Sequence, residues 1–305
     1  MALIRFDALM ENAERGRYAV GYFESWNLES LLAVADAAEA MRSPVILGYS
    51  GIFLPHEDSI FHDRLGDYAA LAREMGERMT VPACLLFNES PHLDWIFEAI
   101  RRGFGIVMFT DERLSFEKLV ENVRRVVAQA HPAGVAVEGE MDALPGVGGE
   151  LLAAPEFNDP TDPARAKHFV ESTGIDAIAV KVGQAHLHGR GKLRLDMERI
   201  SQLKESLAVP LVLHGASSIS PRDLSEAISR GIRKINVGSV LKRVFFDTLY
   251  KACQDAGADY NPYVVLGSGM ENDVLAAARR AMQRVVEEHM GLFGSAGKAA
   301  FTGRR

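Results

Sequence analysis

Residues 210–239, PLVLHGASSISPRDLSEAISRGIRKINVGS, hold one repeating unit of the fold in a single stretch. Pro210–Leu213 and Lys234–Val237 are short strand-like runs, and the segment between them has room for a helix and two connections. Strands joined this way lie parallel, and unbroken apolar runs, unlike alternating ones, mark strands covered on both faces by helices. The unit recurs toward the N-terminus at Ala19–Phe23, Pro44–Tyr49, Ala83–Phe87, Gly105–Phe109, Val135–Glu138 and Ala177–Val182. That makes eight strands, and eight strands alternating with helices close into a (β/α)8 TIM barrel. Helices fill the gaps: Asn27 can cap Leu28–Met41, Leu93–Arg102 ends at Gly103, and Ser115–Gln129 carries a regular apolar stripe. Met270–His289 reads as a long amphipathic helix beyond the barrel order, an extra C-terminal helical element followed by a small, polar, basic end. No Pro/Ser/Gly linker interrupts the pattern, so residues 1–305 are expected to form a single barrel domain.

The 305 residues are 48% hydrophobic and 25% charged, with Gly 27 and Pro 12, an ordinary globular composition that excludes disordered, collagen-like and coiled-coil chains. A net charge of -7, with Lys and Arg scattered singly, offers no basic face to a phosphate backbone, so nucleic acid is not an expected partner. No apolar run reaches the roughly 18 residues of a membrane span, and Met1 to Arg5 lead into an amphipathic segment without a signal core; no membrane partner and a cytoplasmic location are expected. Cys84, in an apolar run, and Cys253, on a helical pattern, both read as buried thiols.

Barrel active sites form where the strands end, because the loops there converge on one mouth. Polar residues collect at those ends: Glu24; Ser50; Asn88 and Glu89; Thr110 and Asp111; Glu138 and Glu140; Gly183 through His188; His214, Gly215 and Ser217; Asn236 and Ser239. His186 and His214 each end an apolar strand and so face the same mouth, where neutral imidazole is the usual divalent-metal ligand. No other histidine ends a strand, so a third ligand is expected from Glu89, Glu138 or Glu140, and two His with a carboxylate suit Zn, Mn or Fe. His188 shares the loop with His186 but has no strand to fix it, and the remaining histidines fall on helices or surface loops and read as structural. The small residues around His214–Ser218 and Lys234–Ser239 let backbone N–H groups approach an anion, and barrels often hold phosphate after their last two strands.

A series of segments now adds specificity: Tyr18-Ala19-Val20 with Asn27-Leu28-Glu29, Ser43-Pro44-Val45-Ile46-Leu47, Val137-Glu138-Gly139-Glu140, Gly148-Gly149-Glu150, Thr161-Asp162-Pro163, Gly183-Gln184-Ala185-His186, Pro210 through Ser217, Lys234-Ile235-Asn236 and Gly294 through Lys298. In this order, over nearly the whole chain, they resemble the class II, metal-dependent ketose-bisphosphate aldolases of the fructose- and tagatose-bisphosphate type. The resemblance implies a lyase that breaks or forms a C–C bond in a small sugar phosphate, with a divalent metal, Zn foremost and Mn or Fe as alternatives, held on three histidines. It also implies a homodimer or homotetramer with the C-terminal helix at the interface.

Two of the metal histidines carry over as His186 and His214. Where the family reads His-Leu-Asp-His-Gly, this chain reads Leu86-Phe87-Asn88-Glu89-Ser90, so Glu89 stands for the third ligand and Asn88 for the proton-handling aspartate. An amide cannot accept that proton, and general acid–base help is worth roughly 10²–10⁴ in rate, so a replacement is expected among Asp111, Glu24 and Glu138. The loop glutamate of the family aligns with Leu151, beside Glu150. Gly215, Ser217, Asn236 and Ser239 remain for a phosphate, with Arg190 in place of the usual Lys and Ser50 at the same mouth. These departures imply a substrate other than ordinary fructose bisphosphate. Two other readings stay open: an aldolase fold that binds a sugar phosphate or metal without turnover, as Asn88 and Leu151 suggest, and different metal chemistry such as isomerisation or oxidation. Against loss of activity stand Glu24, Glu89 and Asp111, acids gained beside the pocket.

Overall fold

A computed structural model describes residues 3–52, 54, 60, 64–142, 144, 159–185 and 193–300. His186, His188, Arg190, and the Gly146–Phe157 loop with Glu150 and Leu151 lie outside the described residues. Eight parallel strands, β1 (Val20–Phe23), β2 (Val45–Ser50), β3 (Ala83–Ser90), β4 (Ile106–Phe109), β5 (Ala136–Glu140), β6 (Ala177–Ala179), β7 (Leu211–Leu213) and β8 (Ile232–Val237), each pair with the next. β8 returns to β1 through Val20 opposite Lys234 and Tyr22 opposite Asn236, which closes the (β/α)8 barrel. Around it stand α1 (Phe6–Gly16), α2 (Leu28–Met41), α3 (Leu65–Arg78), α4 (Leu93–Arg101), α5 (Phe116–Ala130), α6 (Pro163–Thr173), α7 (Met197–Ser206), α8 (Pro221–Ser229) and α9 (Ser239–Ala256). α10 (Pro262–Val265) and α11 (Val274–Leu292) make up the extra C-terminal region. No helix among the described residues is long and apolar enough to cross a membrane.

The expected strands are all present, but their ends move where polar side chains enter the mouth. β3 runs through Asn88 to Ser90 and β5 through Glu140, so residues expected beyond the strands belong to them. A run read by its apolar residues ends too early here, since the backbone ladder continues while inward side chains turn polar. β6 is shorter than expected and stops at Ala179. Beyond it the Gln184 side chain takes over the pairing: its Oε1 accepts from Val182 N–H at 2.8 Å and its Nε2 donates to Val180 O at 2.6 Å.

Two caps place their helices. Asn27 Oδ1 accepts from Ser30 N–H at 2.9 Å while Ser30 Oγ accepts from Asn27 N–H at 3.0 Å, so α2 starts where its sequence predicts. α11 starts at Val274 and not at Met270, because Asp273 caps it: Oδ1 accepts from Leu275 N–H at 2.9 Å and Oδ2 from Gly269 N–H at 2.7 Å. Asp273→Ala is expected to destabilise the protein by about 1 kcal/mol in chemical denaturation, with Asp273→Asn near neutral. α11 buries Val274, Ala278, Met282, Val286 and Met290 against α2 and α9. Its apolar face therefore closes the chain's own core. Cys84 is buried as expected, but Cys253 is exposed, because the buried stripe of α9 ends with Leu241 and Phe245 and the helix then outruns the barrel.

The barrel interior changes character along its axis. Val20, Tyr22, Ile46, Cys84, Leu86, Ile106, Ala177, Ala179 and Val212 pack together with Phe6, Leu9, Met10 and Ala13 of α1, which plugs the N-terminal end. Toward the other end, inward positions become Lys234, Glu138, Asn88, Asn236, Glu140 and His214. Burial of polar groups on this scale is favourable only where each finds a partner.

Candidate active site

Strand alternation points Asn88 into the barrel and would point Glu89 out. Glu89 instead has φ 52, a left-handed backbone uncommon for a non-glycine residue, at a place where the β3–β4 register shifts between Phe87 and Ser90. The irregularity brings two consecutive side chains into one mouth: Asn88 Nδ2 donates to Glu89 Oε2 at 2.7 Å. Glu89 Oε1 then lies 3.1 Å from Nδ1 of His214, which stands just past the end of β7.

On the other side of the ring, His214 Nε2 is 2.8 Å from Glu138 Oε1, and Glu138 Oε2 is 2.8 Å from Lys234 Nζ. His214 is 2% exposed and Glu138 and Lys234 0%, so these charges rely on one another and not on water. Lys234 Nζ also donates to Asn236 Oδ1 and sits 5.4 Å from the centre of the Tyr22 ring. Burial drives the Glu138 carboxyl up, but the Lys234 charge and the His214 hydrogen bond outweigh it and hold it down at about 2. Burial opposes charge on His214 too, yet hydrogen bonds to Glu138 and Glu89 raise its pKa to about 10. Lys234 is lowered by burial against the pull of Glu138. Glu140, which accepts from Thr110 Oγ1 at 3.3 Å, is pushed up to about 7 by burial despite the His214 charge.

Glu24, at the end of β1, lies 2.7 Å from Lys242 Nζ. It packs closely on the start of α9: a Cβ at Gly238 would stand 2.4 Å from its Oε2. Burial raises its pKa against the opposing charge of Lys242.

The donor chemistry fits a divalent cation. His214 Nδ1 and Glu89 Oε1 meet at 3.1 Å, with a second buried carboxylate, Glu140, close enough to interact electrostatically with both; among the described residues no group of three His, Cys, Asp or Glu stands close enough to hold a metal, so a third donor would come from outside them. Glu24, Glu89, Glu138 and Glu140 are four carboxylates against the ammonium groups of Lys234 and Lys242.

Of the site residues expected from sequence, the structure brings together Asn88, Glu89, Glu138, Glu140, His214 and Asn236, with Glu24 at the rim. Ser50 is buried at the end of β2 and its Oγ accepts from Ile52 N–H at 3.3 Å. Gly215 has φ 68 in the β7 turn, Ser217 Oγ accepts from Val240 N–H at 3.3 Å, and Ser239 is the first residue of α9. Asp111 is engaged elsewhere: both its oxygens bind the Arg113 guanidinium, at 2.8 and 2.9 Å, which holds its carboxyl below the usual range. Lys234, which the sequence places in the Lys234–Ser239 turn without a role of its own, is a functional residue that sequence reasoning misses. Its signal was a lysine two residues before Asn236, hence on the same inward face of an otherwise buried strand.

A closed barrel with an imidazole–carboxylate cluster at the C-terminal ends of its strands is the framework of an enzyme. The chain belongs to the class-II fructose-bisphosphate aldolase family, whose model matches residues 4–298. It is similar to the YdjI aldolase from Escherichia coli K12, with 28% identity and a TM-score of 0.79 over 98% of this chain and 100% of that one. The fold is shared with a fructose-bisphosphate aldolase from Campylobacter jejuni at 20% identity, TM-score 0.75, over 97% of each chain. The protein is accordingly an aldolase-type lyase of carbohydrate metabolism.

Proposed function

We propose that the lyase is divalent-metal-dependent and acts on a phosphorylated ketose, with the metal held by His214, Glu89 and His186 and with Glu140 in reserve as a further carboxylate donor. The observation that carries this reading is the convergence of His214 Nδ1 and Glu89 Oε1, 3.1 Å apart, beside the buried carboxylate of Glu140. When bound, the cation, Zn foremost, supplies a Lewis acid for the substrate carbonyl. Gly215, Ser217, Asn236 and Ser239 would receive the phosphate, with Ser50 and, from its place in the sequence, Arg190 completing the anion site.

Glu24 is the best placed of the three candidate proton carriers. Its carboxylate lies at the rim, 16% exposed, whereas Glu138 is enclosed beneath His214 and Asp111 is bound to Arg113. Glu24→Gln is expected to lower kcat by about 10²–10⁴ with metal content unchanged, in steady-state kinetics beside metal analysis. The reading as a whole is tested by retro-aldol cleavage of a panel of ketose phosphates before and after chelation. Activity abolished by EDTA and restored by Zn, Mn or Fe supports it, and EDTA-insensitive cleavage sinks the metal dependence.

We also infer self-association through α9 and α10. Phe246 and Tyr250 are 63% and 57% exposed with rings stacked at 6.2 Å, and Tyr263 is 87% exposed, whereas the apolar face of α11 is turned inward. In sedimentation the native protein is expected to run as a homodimer or homotetramer and Phe246→Asp to shift it toward monomer; a native monomer at micromolar concentration contradicts this.

A further inference from the structure

Six polar side chains of the mouth close into one circuit of contacts. His214 Nε2 meets Glu138 Oε1 at 2.8 Å, Glu138 Oε2 meets Lys234 Nζ at 2.8 Å, and Lys234 donates to Asn236 Oδ1. Asn236 Nδ2 donates to Asn88 Oδ1 at 3.4 Å, Asn88 Nδ2 donates to Glu89 Oε2 at 2.7 Å, and Glu89 Oε1 faces His214 Nδ1 at 3.1 Å. The circuit thus leaves His214 by one ring nitrogen and returns to it by the other. Four of its six members, Asn88, Glu138, Lys234 and Asn236, touch neither the cation-facing oxygen of Glu89 nor Nδ1.

Donor and acceptor directions around the circuit are determined. A carboxylate only accepts, so the contacts to Glu138 and Glu89 require hydrogen on both His214 Nε2 and Nδ1, and a cation bound at Nδ1 would take the place of the second hydrogen. The 2.9 Å approach of Asn236 Nδ2 to His214 Nε2 is then no bond, and that amide hydrogen serves Asn88. Lys234 only donates, which turns Asn236 Oδ1 toward it and Nδ2 toward Asn88. Asn88 must therefore accept on one side and donate to Glu89 on the other, which an amide can do and a carboxylate cannot. An aspartate at 88 would set two carboxylates at hydrogen-bond distance. Both Glu138 oxygens are engaged, so this residue is neither a free base nor a free ligand.

We propose that Asn88, Asn236, Lys234 and Glu138 are positioning residues that aim His214 Nδ1 and Glu89 Oε1 at a bound cation, and that residue 88 is an amide because residue 89 is a carboxylate. The proposal rests on the metal-dependent reading above and explains the Asn-Glu pair as one coupled change. Outer partners of metal ligands orient them and fix the tautomer, and their loss commonly weakens metal binding about 10–100-fold.

The test uses the full chain loaded with Zn. Imidazole 15N spectra of the native protein are expected to show His214 protonated at Nε2 and metal-bound at Nδ1; coordination through Nε2 overturns the proposal without any variant. Chelator competition then gives Zn affinity for Asn88→Asp and Glu138→Gln, each expected to bind about 10–100-fold more weakly than native protein. Asn88→Asp lies at the mouth and keeps the side-chain shape, so it reads the effect even where Glu138→Gln fails to fold. Affinity within threefold of native for Asn88→Asp overturns the coupling of positions 88 and 89. Native protein that binds no Zn, Mn or Fe removes the metal-dependent reading and this inference with it, whereas native binding with an unaffected Asn88→Asp removes only the inference.

Discussion

His214→Ala is expected to lose its divalent metal and to lower kcat/KM by about 10³-fold or more, at about 1.4 kcal/mol per decade some 4 kcal/mol of transition-state stabilisation. His214 touches Glu89 and Glu138 at once, so its removal would take away the proposed imidazole ligand and disconnect the second donor. Kinetics and metal content measured on the same preparation check it. Residual activity within tenfold of native, with metal retained, would place the chemistry elsewhere in the barrel.

Lys234→Met is expected to destabilise the protein by about 3–5 kcal/mol, the largest stability effect foreseen here. The cause is the partner left behind: Glu138 is 0% exposed and 2.8 Å from the ammonium, and without it an ionised carboxylate remains in a closed interior. Adding Glu138→Gln to Lys234→Met removes that charge while an amide oxygen still accepts from His214. The double variant is therefore expected to recover a large part of the loss in denaturant titrations. Equal stability of the single and double variants would show that packing over Tyr22, and not charge, makes Lys234 necessary.

The fold was legible because it rests on a repeated signal: eight apolar runs at helix-length intervals, each found as a strand. The site was legible in composition and not in connectivity. His214, Glu89, Glu138 and Glu140 could be named because polar residues follow apolar runs at one end of the barrel. Nothing local showed that Glu89 adopts a left-handed backbone and so turns inward beside Asn88, since the cause is a register shift against β4, distant in sequence. Asp111 looked equivalent to Glu24 in sequence; only the structure shows the guanidinium of Arg113 binding both its oxygens. The exposure of Cys253 is hidden from the sequence for a similar reason, as helical periodicity does not reveal where a helix outruns the core that covers it.

Metal stoichiometry of untagged, dialysed protein by mass spectrometry, with Glu89→Ala run in parallel, bears most directly on the metal-dependent lyase. Close to one equivalent of Zn, Mn or Fe per chain in the native protein, lost in Glu89→Ala, is the predicted result. Native protein that takes up none of these ions after incubation with each, or a Glu89→Ala variant that keeps its full equivalent, would contradict the site built on His214 and Glu89.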